Sequence, residues 1–184
     1  MVFSVIVFLS CQSSGVRDAK SEVVSIPDLG IQYTVPAGMI DKTSAESRQS
    51  RDHAASYSQR AATLLLDMSS QEGDASPDWH QIWLFIFPRA GLPNLSDSAA
   101  ESKMNVALAG PHASAVGQPQ SEMIAGHSFL VSEFQVSEPP LLKHGKIYTT
   151  ICKTQLVSFA LISNAPRPLR EMEGSMKTLE ISSR

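Results

Sequence analysis

Hydrophobic and polar positions alternate with a two-residue period over much of the chain after residue 20, which is the period of a β-strand. The apolar runs Val23–Ile26 and Ile31–Val35 flank Pro27–Gly30, where Pro, Asp and Gly each favour a turn. We therefore expect two short strands joined by a turn at the start of the fold.

The most apolar stretch of this region, Trp79–Phe87, predicts a strand in the interior of a sheet. Alternation places Trp79 and Trp83 on one face and Ile82 and Leu84 on the other. Because both faces are apolar, we expect packed layers on both sides of this strand. Of the aromatic residues on its first face, Trp79 is expected to reach the surface, since it stands at the strand's start.

A further strand is predicted over residues 61–69, before this apolar one. Its pattern is interpreted as Leu64 and Leu66 on one face, with Asp67 directed outward near the strand end.

The last third of the chain predicts two hairpins and a helix. The segments after residue 111 are a polar loop over 112–120, strands over 122–125 and 127–136, strands over 145–152 and 155–163, and the helix. Asn164 is the predicted N-cap, and Pro166 falls in the first turn, where a missing N–H costs nothing. Leu169, Met172 and Met176 then form one apolar helix face.

Two earlier helices are predicted from capping-box spacing, in Thr43–Glu46 and Ser98–Glu101. They would run over about 43–59 and 97–108. Hairpin-length connections dominate elsewhere, so the expected fold class is α+β: one mostly antiparallel sheet flanked by helices on both faces, an α/β/α sandwich.

Composition narrows the functional classes. The chain has 184 residues, of which 42% are hydrophobic and 18% charged, enough for a single domain with a core of its own. A net charge of −3 excludes a general nucleic-acid clamp, which needs a basic surface. The sequence contains no run of 18 apolar residues, so it predicts no membrane-spanning helix. Two cysteines are too few for a disulfide framework.

The first residues have the pattern of an export signal. Val2–Leu9 is an apolar run too short to span a membrane, and Ser10-Cys11 is followed by a Ser/Gly-containing stretch. This arrangement resembles a bacterial lipoprotein signal, in which Cys11 would carry the lipid. We expect a leader at 1–11, a tether at 12–21 and one domain at 22–184. The alternative is an N-terminal strand in a cytosolic interaction domain.

Three segments resemble proteins of the PsbP-like fold, a group named for a photosystem protein and shared with a nuclear Ran-binding import factor. They are Asp28–Pro36, Ala125–Phe129 and His144–Thr150, the last continued by Lys153 and the strand over Leu156–Ser163. The bacterial exported members are the most similar. The resemblance implies a binding or accessory role in the cell envelope, with an envelope protein or a small ligand as the partner.

Catalytic motifs are missing from the sequence: we find no nucleophile elbow, zincin motif, P-loop or dinucleotide fingerprint. We therefore predict no catalytic set, metal or cofactor. Trp79, His127 and His144 are the candidates for a ligand or partner surface, and the two histidines could approach each other from hairpin ends. Cys152 is predicted to be an inert core thiol. The alternative function is a small envelope hydrolase that uses Cys152 or the histidine pair.

Overall fold

The computed structural model describes residues 21–43, 63–88 and 112–182. Within them the elements, in chain order, are β1 (Glu22–Ile26), β2 (Ile31–Val35), β3 (Ile40–Asp41), β4 (Thr63–Ser69), β5 (His80–Pro88), β6 (Ala113–Ile124), β7 (His127–Glu138), β8 (Leu141–Cys152), β9 (Gln155–Ser163), α1 (Pro166–Ser175) and β10 (Glu180–Ile181). Short 3-10 turns lie at Pro27–Leu29 and Met176–Thr178. No helix in these ranges is long and apolar enough to cross a membrane.

The strands form two antiparallel sheets. The larger has the order β3-β4-β5-β9-β8-β7-β6, and the smaller has the order β1-β2-β10. The predicted first hairpin, the interior position of β5 and the hairpins around Ala125-Gly126 and Lys153-Thr154 are confirmed.

The predicted α/β/α sandwich is wrong. The part of the chain that the structure describes is mostly strand, with α1 as its α-helix and a second sheet where a helical layer was expected. The reason lies in β2, whose alternating side chains Ile31, Tyr33 and Val35 are buried, so that this small sheet itself covers the large one. The two helices predicted over 43–59 and 97–108 lie outside the described residues, apart from Thr43.

The main core lies between the large sheet and the layer formed by β2 and α1. Its largest fully buried side chains include Tyr33, Phe129 and Phe159, and the rings of Tyr33 and Phe159 are 5.4 Å apart. The predicted apolar face of the last helix is confirmed, because Met172 and Met176 are both buried in this core.

A bulge in β4 overturns two expectations about that strand. The register shifts between Leu64 and Leu66, so Leu64 packs with the aromatic cluster on one face and Leu66 joins the main core on the other. Asp67 is fully buried instead of outward-facing, and its Oδ1 accepts a 2.7 Å hydrogen bond from Gln81 Nε2.

The segment predicted as a loop over 112–120 belongs from Ala113 onward to β6, which is an edge strand. Its pairing with β7 is interrupted between Val116 and Gln120, around Gly117 and Pro119. Most of its side chains are exposed, so backbone pairing rather than burial maintains it. Asn164 is also not the N-cap: Ala165 occupies that position without a side-chain bond, and the Asn164 amide donates to the carbonyls of Asp74 and Ser76.

Candidate functional site

A cleft of about 550 Å³ opens on the core side of the large sheet, between α1 and the tip of the β6–β7 hairpin. This volume lies within the range of small-molecule and peptide sites, about 300–1,000 Å³. Its floor is formed by Lys146 and Tyr148, which lie two residues apart in β8 and therefore face the same side.

One wall of the cleft is a stripe on the last helix. Arg170, Glu173 and Gly174 line it at the spacing i, i+3 and i+4, which places them on one face of α1, and Lys177 continues the wall from the 3-10 turn that follows. Arg170 and Lys177 are exposed. A Cβ added at Gly174 would have no atom within 4 Å, so the wall is open at its middle.

The opposite wall comes from the end of β6 and the turn that follows. Glu122 is exposed there, whereas Ile124 is buried. Ala125 and Gly126 in the turn both have positive φ, at 52° and 77°, as a two-residue hairpin turn requires. This turn ends the wall by reversing the chain into β7.

Lys146 fixes α1 to the sheet. Its Nζ lies 3.0 Å from Glu133 Oε1 in β7 and 3.1 Å from Glu173 Oε1 in α1. Partial burial alone would lower the pKa of Lys146, but the hydrogen bonds and charges of both glutamates outweigh it and raise the pKa. Lys146 is therefore a cation near neutral pH, already paired with two carboxylates.

Tyr148 provides an aromatic floor with a protonated hydroxyl. Burial raises the pKa of Tyr148, and the negative charges of Glu173, Glu122 and Glu133 raise it further. Its side chain is only 4% exposed. Near neutral pH the cleft thus offers hydrogen-bond donors and charges, which are groups that bind rather than react.

Trp79 lies away from this cleft, on the other face of the large sheet. It is only 5% exposed and packs with Phe134 and Ile147, so the prediction that it reaches the surface is wrong. The Nζ of Lys143 lies 4.9 Å from the centre of the Trp79 ring, a cation–π distance.

His127 and His144 are far apart. His144 pairs with Gln135 of β7, eight residues along that strand from His127. At about 3.3 Å per residue this separates them by roughly 26 Å. Both are partly exposed, and the structure does not bring them into one site.

Cys152 is buried at 2% exposure, and burial raises the pKa of its thiol. A protonated, covered thiol is a poor nucleophile, in agreement with an inert core residue. Across the three described ranges, no three His, Cys, Asp or Glu side chains are grouped to hold a metal ion. Cys11 lies outside those ranges.

Sequence reasoning missed the cleft, because its groups come from three elements that meet only in the fold. The helical spacing of Arg170, Glu173 and Lys177 was a usable signal, since it marks the stripe beside the predicted apolar face.

No protein-family model matches the chain, and no match was found among curated proteins. Solved structures are similar to it, among them two that cover most of the chain. The cyanobacterial PsbP (CyanoP) of Synechocystis sp. PCC 6803 has a TM-score of 0.57 and 16% identity, over 91% of this chain and 96% of that one. LpqN of Mycobacterium tuberculosis, described as involved in cell envelope biogenesis, has a TM-score of 0.50 and 13% identity, over 89% and 91%. The chain therefore has a PsbP-like fold, as its sequence motifs predicted; the relation to a Ran-binding import factor stays a prediction.

Proposed function

We propose that this chain is a non-enzymatic binding protein of the cell envelope, held at a membrane by lipid on Cys11, and that the cleft between α1 and β8 is its binding site. The observation that carries the binding role is the chemistry of the cleft floor. Lys146 is protonated and paired, and Tyr148 keeps its proton, so neither is a base or nucleophile near neutral pH.

Location in the envelope is supported by two independent features. The chain shares the fold of LpqN, whose description places that protein in cell envelope biogenesis. The order of an apolar run at Val2–Leu9, then Ser10-Cys11, then a Ser/Gly-containing tether is the order found in lipoprotein signals. A single lipid chain binds membranes only marginally, so stable anchoring needs the multiple chains of a mature lipoprotein.

The anchor is tested by labelling the full chain with a palmitate analogue in a bacterium that matures lipoproteins. We expect label on the wild type, none on Cys11→Ala, and undiminished label on the matched control Cys152→Ala. Label that survives Cys11→Ala, or a wild type without label, contradicts the anchor.

Fractionation of the same cells tests the location. The wild type is expected in the membrane fraction, and Cys11→Ala in a soluble fraction. An unprocessed wild type in the cytosol would instead support the alternative of a cytosolic interaction domain.

A further inference from the structure

The charges of the cleft are arranged in two opposed walls. Arg170 in α1 and Lys177 in the 3-10 turn after it make no ion pair within the described residues, and Glu173, an acidic residue between them, is paired with Lys146. The helix wall therefore presents two unneutralised cations to the opening. Arginine and lysine in this setting recognise a carboxylate through charge-assisted hydrogen bonds.

The strand wall carries the opposite charge. Glu122 is exposed at the cleft and forms no ion pair in the part of the chain that the structure describes. Two other carboxylates near the floor, Glu133 and Glu173, are already paired with Lys146. A cation placed against this wall would therefore meet the carboxylate of Glu122.

The dimensions of the cleft fit a short piece of extended chain. Arg170 in α1 and Lys177 in the 3-10 turn after it are seven residues apart, which is about 10–12 Å of helical rise. Three residues of extended peptide cover the same length, at about 3.3 Å each. Gly174 leaves the middle of this wall without a side chain, so a ligand backbone can approach it.

We propose that the cleft binds a short peptide with free ends, whose carboxylate lies against Arg170 and whose ammonium group lies against Glu122 on the opposite wall. This ligand class rests on the binding role proposed above. A simple anion would leave Glu122 uncompensated, and a nucleic acid would be repelled by Glu122.

The test is calorimetric titration of the full chain with tri-alanine that has both termini free, at low salt. Acetylating the N-terminus or amidating the C-terminus removes one charge at a time, and each is expected to weaken binding about threefold to tenfold. Arg170→Gln should weaken binding of the free peptide, and amidation of the peptide should then cause no further loss of affinity. Glu122→Gln should likewise weaken binding of the free peptide, and acetylation of the peptide should then cause no further loss of affinity.

Two further variants control for general effects. Arg167→Gln removes a cation from the same helix outside the cleft and is expected to leave binding unchanged. Gly174→Phe fills the open middle of the wall and should abolish binding, while unfolding measurements show whether the variant remains folded.

Absence of tri-alanine binding, equal loss in Arg167→Gln and Arg170→Gln, or equal affinity for inorganic phosphate would overturn the peptide assignment. Those outcomes leave the envelope role standing if Cys11 is lipidated. Loss of the Cys11 label with peptide binding intact would instead refute the anchor and keep the ligand class.

Discussion

The ring of Phe134 lies directly over the backbone of Gly145, its partner in the β7–β8 ladder. A Cβ built on Gly145 would overlap Cζ of that ring and stand 2.7 Å from the carbonyl oxygen of Leu161. Phe134 is 1% exposed and belongs to a packed cluster, so neither the ring nor the neighbouring backbone has room to move.

Gly145→Ala is therefore expected to destabilise the fold by about 1–3 kcal/mol through overpacking. Urea unfolding of the purified chain measures the change. The matched control is Gly174→Ala, where a new Cβ meets no atom and replaces a helical glycine, so stability should hold or rise by up to about 1 kcal/mol. Equal effects at the two positions would contradict the close contact.

Tyr33 gives the fold a specific sensitivity to alkali. Burial raises its pKa from 10.0 to about 12, against a smaller lowering by the hydrogen bond with Ser175. Because the pKa of Tyr33 is higher in the folded than in the unfolded protein, the stability that its protonated phenol provides is fully present below pH 10. That stability is lost as the pH rises toward 12. The loss amounts to about 2–3 kcal/mol.

Tyr33→Phe should thus be less stable than the wild type at pH 8, by about 1 kcal/mol for the lost hydrogen bond. It should become the more stable protein near pH 12. Ser175→Ala removes the partner but keeps the phenol, so it should retain the wild-type loss. The measurement is unfolding free energy against pH, and parallel curves for wild type and Tyr33→Phe would refute the assignment.

The sequence was informative where side-chain burial alternates and a turn interrupts it. The β8–β9 hairpin was predicted around Lys153-Thr154 for that reason. By contrast, the first part of β6, over residues 113–120, has mostly small or polar, exposed side chains, and its pairing with β7 is carried by backbone groups that every sequence has. No pattern of hydrophobicity could reveal it.

The cleft could not be predicted from the sequence for a related reason. Lys146 contacts Glu133 only because β7 and β8 pair in a register that places the two opposite each other. Its contact with Glu173 depends further on how α1 packs across the sheet. Register and packing angle are set by the whole core, so a local pattern gives the charges but not their neighbours.

The Lys146–Glu173 pair should contribute measurably to holding α1 in place. A double-mutant cycle with Lys146→Met and Glu173→Gln is expected to give a coupling of about 0.5–1 kcal/mol, because both side chains are only about a quarter exposed, 24% and 26%. The exposed Arg167–Glu171 pair on the same helix is the control, with a coupling of at most about 0.5 kcal/mol. A coupling for Lys146–Glu173 no larger than the control would show that the contact is incidental.

In the β6–β7 turn, Ala125 is less suited to its backbone conformation than Gly126 is. Ala125 has a φ of 52°, in the left-handed region, where a Cβ costs about 1–2 kcal/mol. Two-residue turns of this kind prefer Asn-Gly or Gly-Gly, and this chain has Ala125-Gly126. Ala125→Asn should therefore raise the free energy of unfolding by up to about 1 kcal/mol. Gly126→Ala should lower it by a similar amount. In that variant the new Cβ meets no atom, so the cost comes from the φ of 77° alone. Urea unfolding of the two variants should give opposite signs, and the same sign for both would refute this turn geometry.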